Sequence, residues 1–90
     1  VKNYFGMREL EQFVRILELA NTGGVTPYRI GRVLGINYQR LKRILNYAVS
    51  EGIMTYRQAR GGVKIYELTE KGERLLNVWV SFNYENATDI

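Results

Sequence analysis

The sequence predicts an α+β fold, with a three-helix core, a two-stranded β hairpin and a C-terminal helix. Three observations carry this. Residues 36–52, INYQRLKRILNYAVSEG, have the spacing of one amphipathic helix. Two β-prone runs, 53–58 and 63–68, are joined by Ala59-Arg60-Gly61-Gly62, and a Gly-Gly pair between such runs signals a hairpin. Helical stripes lie on both sides of this centre. Ninety residues suit one domain with one modest core.

Val1 to Gly6 shows no clear period and is expected to be irregular. From Met7, the residues Leu10, Phe13, Val14, Leu17 and Ala20 follow a helical stripe, with Glu9 and Glu11 near the positive end of its dipole. Asn21 to Gly24 ends this first helix, because paired glycines readily take positive φ. Val25 suits a short strand. Thr26-Pro27 then marks a second helix start: Thr caps, and Pro at the first position lacks a donor that would be unpaired anyway. Val25 and Ile30 stand where a hydrophobic staple would place them, and Ile30, Val33 and Leu34 lead to a terminating Gly35. Gly31 is expected where a following helix crosses closely.

The third helix is the centre of the chain. Leu41, Ile44, Leu45, Ala48 and Val49 form its buried stripe; Gln39, Arg43, Asn46 and Ser50 lie opposite, with Arg40 and Lys42 on the flanks. Asn37 caps the first turn, and Ile36 can pack on Leu41. The charge placement opposes the helix dipole. Acidic residues in a first turn stabilise by about 0.3–1 kcal/mol each, yet this helix puts Arg40, Lys42 and Arg43 near that end and Glu51 near the other. An external anion such as phosphate would resolve that conflict, since helix N-termini and arginines both bind it; a solvated basic face is the plainer explanation.

The net charge of +4 is unevenly distributed. Residues 29–64 hold Arg29, Arg32, Arg40, Lys42, Arg43, Arg57, Arg60 and Lys64 against Glu51 alone, a net of +7, while the remainder has five basic and eight acidic residues. Such a block is an electrostatic footprint for a polyanion. With no cysteine or histidine, thiolate nucleophiles, zinc-thiolate sites and the commonest acid-base group are missing. Glu9 with Glu11, and Glu70 with Glu73, sit at helix starts where the dipole accounts for them. No enzyme activity, cofactor or metal site is expected. No apolar run approaches the roughly 18 residues of a membrane span, and no signal-peptide core is seen, so a cytoplasmic location is expected.

Helix, glycine turn and basic-faced helix make the helix-turn-helix order, in which the second helix enters the major groove. The stretch IGRVLGINYQRLKRIL resembles that motif. The following EGIM, a basic hairpin and YELTEKGERLL, with Thr69 capping a last helix through Leu75, Leu76 and Trp79, resemble the second half of a winged-helix domain. The resemblance spans about Glu9 to Val80 and is to small prokaryotic, archaeal-type winged-helix DNA-binding transcriptional regulators, including MarR-like and ArsR-like proteins. It implies a winged-helix domain over 1–80, helix 37–51 in the major groove of double-stranded DNA, and wing 57–64 along the backbone or minor groove. The metal-sensing residues of ArsR-like proteins are missing. The tail 81–90, SFNYENATDI, is polar and expected to be irregular.

Within that frame Gln39, Arg43 and Asn46 suit base edges, while Arg40 and Lys42 suit phosphate. Tyr38 either packs beside Val33 or Val49 or reaches a phosphate or base. Arg60 at the wing tip, with Arg57 and Lys64 on its strands, suits the backbone or a narrow minor groove, although basic residues also protect sheet edges. Thr26, Tyr28 and Arg29 open the second helix, where one phosphate contact is expected. Tyr47 and Tyr56 suit packing better than base stacking. Leu75, Leu76, Val78, Trp79, Val80 and Phe82 cover more of the last helix than one small core requires, which predicts a homodimer interface. Two alternatives remain for the same fold: a protein-protein interaction module, or a domain binding structured RNA.

Overall fold

A helix start needs an acceptor for its free N–H groups, and three of the four helices find it in the residue singled out above. The computed structural model describes the backbone of residues 2–88 and the side chains of residues 9–82. Its elements are α1 (Lys2–Ala20), α2 (Pro27–Leu34), α3 (Tyr38–Ser50), β1 (Met54–Gln58), β2 (Lys64–Leu68) and α4 (Glu70–Thr88). Thr26 Oγ1 accepts from Arg29 N at 3.2 Å, Asn37 Oδ1 from Arg40 N at 2.9 Å, and Thr69 Oγ1 from Gly72 N at 3.1 Å. Val25 with Ile30 and Ile36 with Leu41 are buried beside the first two caps, as staples require.

The turns follow from glycine. Gly35 ends α2 at φ 67°, its N–H bonded to Gly31 O. At the end of α3, Gly52 at φ 73° allows Ile53 N to reach Ala48 O and Gly52 N to reach Val49 O, a Schellman closure. Ile53 therefore belongs to the helix cap, and β1 starts one residue later than the sequence suggests. Gly31 lies close to the turn and not to a crossing helix: a Cβ there would stand 3.3 Å from Ile36 O.

β1 and β2 pair antiparallel with Tyr56 opposite Tyr66 and Gln58 opposite Lys64. Val25 adds a single antiparallel bridge to Tyr66, its N–H 2.9 Å from Tyr66 O, so the short strand expected there is one residue long. Ile16, Leu17, Ile30, Leu41, Leu45 and Met54 are fully buried and join α1, α2, α3 and the sheet into one core. Each such side chain contributes about 1.5–3 kcal/mol through burial.

The LTEKG segment locks α4 to this core. Thr69 donates its N–H to Ile53 O at 3.0 Å, and its hydroxyl lies 2.5 Å from Gly52 O and 3.0 Å from Ile53 O. Lys71 Nζ donates to Glu51 O at 2.7 Å, a cation on the negative end of α3. Gly72 is buried so close to the Ile53 carbonyl that a Cβ would collide with it.

Several expectations need correction. The helical spacing of α1 omitted Ile16, which is wholly buried, and included Leu10, which is exposed, as is Val33 on α2. Residues 2–6 are helical and not irregular, because an aperiodic run free of proline can still propagate a helix. α4 likewise continues through Thr88, so there is no break at residue 80: after Gly72 no glycine or proline interrupts it. Val1 and residues 89–90 lie outside the described residues. Leu76, expected at a dimer interface, is 5% exposed and belongs to the domain's own core, and half-buried Trp79 packs against that core.

Candidate nucleic-acid interface

The outer face of α3 follows from its buried one. With Leu41, Leu45 and Ala48 turned inward, Gln39, Arg43, Asn46 and Ser50 are exposed on the opposite side. The two flanks then meet different elements. On the wing side, Lys42 and Asn46 share a cleft of about 260 Å³ with Lys64, Gly62 and Tyr66, floored by Leu41, Leu45 and Pro27. On the α1 side, Arg40 Nη2 lies 4.0 Å from Glu9 Oε1, and Arg43 lies beside the same shallow depression, with Phe13 and Ile44. Arg40 is therefore partly neutralised within the chain.

Alternation along β1 and β2 sorts the wing. Tyr56, Gln58, Lys64 and Tyr66 share one face, while Arg57, Ile65 and Glu67 share the other. Lys64 Nζ stands 4.7 Å from the centroid of the Tyr56 ring, and Tyr56 and Tyr66 rings lie 5.4 Å apart. Arg57, grouped with Lys64 and Arg60 as a wing contact, donates from Nε to Glu67 Oε1 at 2.8 Å on the opposite face. One residue of register decides that separation. Arg60 is exposed on the tight turn at the tip, where Gly61 and Gly62 take φ of 79° and 78°. Burial raises the Tyr66 phenol above its ordinary 10.0, with the Lys64 charge opposing that shift.

On α2, Thr26 spends its hydroxyl on the cap, while Tyr28 and Arg29 are exposed. Tyr38 is left largely exposed and stands between the wing cleft and a groove bordered by Tyr28 and Arg32. Arg32, exposed beside Tyr28, and Tyr66, only 5% exposed at the base of the wing cleft, line these depressions and were not among the expected site residues. Arg32 was visible four residues after Tyr28, the helical spacing at which its Nη1 does donate to the Tyr28 hydroxyl, at 3.1 Å. Tyr66 was visible two residues beyond Lys64, on the same strand face. Among the described residues, carboxylates pair with Arg15, Arg40, Arg57 and Arg74. Within the same set of residues, Arg29, Arg32, Lys42, Arg43, Arg60 and Lys64 have no carboxylate within 4.0 Å.

This arrangement of helices and wing is a winged helix-turn-helix, and solved structures share it. A MarR family transcription regulator is 25% identical, with a TM-score of 0.78 over 86% of this chain and 53% of that one. Bacillus subtilis PadR, solved with operator DNA, is 23% identical, with a TM-score of 0.69 over 77% of this chain and 45% of that one. The adhesin competence repressor AdcR from Streptococcus pyogenes is 15% identical, with a TM-score of 0.75 over 97% and 73%. The chain spans about half the length of the first two. No protein-family model matches the sequence, and no curated protein matches it either.

Proposed function

We infer that the chain binds double-stranded DNA in a sequence-specific manner and regulates transcription. One observation carries this: Lys42 on α3 and Lys64 on the wing converge on one cleft that the exposed Asn46 also lines, without a carboxylate partner among the described residues. Phosphate would supply the missing counter-charge on both walls. In this reading α3 lies in the major groove, where Arg43, Gln39 and Asn46 read base edges. Lys42, Arg29 and the wing residues Lys64 and Arg60 hold phosphate or a narrow minor groove. The fold shared with PadR, which is solved with operator DNA, supports duplex DNA as the partner.

The chain acts as a homodimer in this proposal. Val78 at 67% exposure and Phe82 at 57%, with Leu75 also exposed on the same side, leave α4 an apolar strip that the core does not use, while exposed Val80 lies on another side of the helix. A two-fold pair through that strip would present two α3 helices to successive major grooves about 34–36 Å apart.

The test is binding to duplex pools at graded salt. Affinity should fall with a log-log slope of about −0.9 per phosphate neutralised, and selection from random duplexes should enrich an inverted repeat. Absence of duplex binding at low salt would overturn the reading.

A further inference from the structure

Two tyrosines on the basic side are left open where packing would have covered them: Tyr28 is 72% exposed and Tyr38 68%. Both border a groove of about 210 Å³ with an almost wholly apolar lining that includes Ile36 and Leu41. Pro27, Tyr38 and Leu41 line this groove and the wing cleft alike, so the two depressions are neighbours along one trough-like surface, with exposed Tyr38 standing between them. Cations are spaced along it. Arg32 lies over the Tyr28 ring at 5.7 Å at one end, Lys42 stands on α3, and Lys64 is held over Tyr56 at the other end.

A duplex would use the cations of this surface but not its rings or its apolar floor. Its bases are stacked on one another and present only their edges, so neither ring faces nor an apolar floor find a partner. An unpaired strand presents base faces and phosphates by turns, which is the chemistry of rings interleaved with cations. We propose that this trough binds single-stranded nucleic acid, two bases stacking on Tyr28 and Tyr38 while Arg32, Lys42 and Lys64 receive phosphates. The activity goes beyond duplex binding, with which it shares Lys42 and Lys64; Tyr28 and Tyr38 on one side, and Arg43 on the α1 side of α3, distinguish the two modes.

Fluorescence anisotropy with labelled oligothymidylate and oligouridylate of about ten nucleotides tests this at low salt. Both single strands, or one of them, should bind, and the difference tells whether the strand is DNA or RNA. Tyr28→Leu and Tyr38→Leu should each weaken that binding about tenfold, whereas Tyr28→Phe and Tyr38→Phe should retain it, because stacking needs the ring and not the hydroxyl. Arg43→Ala should lower duplex affinity and leave the single-strand affinity unchanged. The proposal is overturned if neither oligonucleotide binds, if the leucine variants bind as the parent does, or if Arg43→Ala weakens single-strand and duplex binding equally. Loss of duplex binding alone, with the oligonucleotide results intact, would remove the duplex reading and leave this one standing.

Discussion

Gly72→Ala should destabilise the domain far more than its position in a helix suggests. In an ordinary helix the change stabilises by about 1 kcal/mol. Here the added methyl group would meet the backbone carbonyl of Ile53, which joins the α3 cap to β1 and cannot rotate away as a side chain would. Overpacking of this kind costs about 1–3 kcal/mol. The same carbonyl accepts from Thr69 N at 3.0 Å and lies 3.0 Å from the Thr69 hydroxyl, and pushing α4 outward weakens both contacts, at about 1 kcal/mol each. The net is a loss of roughly 2–4 kcal/mol from a total that is about 5–15 for a native domain. For a chain of this size that lowers Tm by roughly 8–30 °C. Thermal unfolding followed by far-UV circular dichroism measures it, with exposed Asn77→Ala on the same helix as a neutral control. A Gly72→Ala melt matching the parent, or above it, would refute the close-approach argument.

Arg43→Ala should cost about 1–3 kcal/mol in specific affinity and relax base preference at one position per half-site, whereas Lys64→Ala or Arg60→Ala should weaken specific and random duplexes alike; competition binding separates the two patterns. Val78→Glu with Phe82→Glu, both on exposed positions of α4, should give a folded monomer by sedimentation and lower affinity for an inverted repeat more than for a half-site. A parent chain that already sediments as one chain would end the proposal of a stable free dimer. Because the folded-state pKa of Tyr66 is raised, its contribution to stability is complete below the unfolded value near 10 and is lost as pH rises through the folded one. Denaturant midpoints should therefore fall above about pH 10, and Tyr66→Phe should flatten that decline.

The caps and turns were legible because their chemistry is local. Thr26, Asn37 and Thr69 act on N–H groups three residues away, and Gly35 and Gly52 act on their own φ, so neighbours along the chain specify them. The outer face of α3 was legible for a related reason: a strong apolar stripe leaves its opposite face no choice. α1 was harder to read, since Leu10 and Ile16 each fit a helical stripe and only the position of α2 and α3 makes one buried and the other exposed. The candidate site was legible in its residue types and only partly in its grouping. Arg57 and Lys64 look equivalent in the sequence, yet strand register puts them on opposite faces, one opposite a carboxylate and one over a ring.

By itself, then, the sequence determined the starts of α2, α3 and α4, the glycine turns, the hairpin and the concentration of positive charge in residues 29–64, all set by interactions within about one helical turn or by composition alone. Only the tertiary structure decided which cations remain unpaired, that Leu76 completes the core while Val78 and Phe82 do not, and that Gly72 must be glycine. Those outcomes depend on groups distant along the chain, such as Glu9 against Arg40 or Ile53 O against Gly72. No pattern of neighbours specifies a contact whose two halves meet only when the helices have packed.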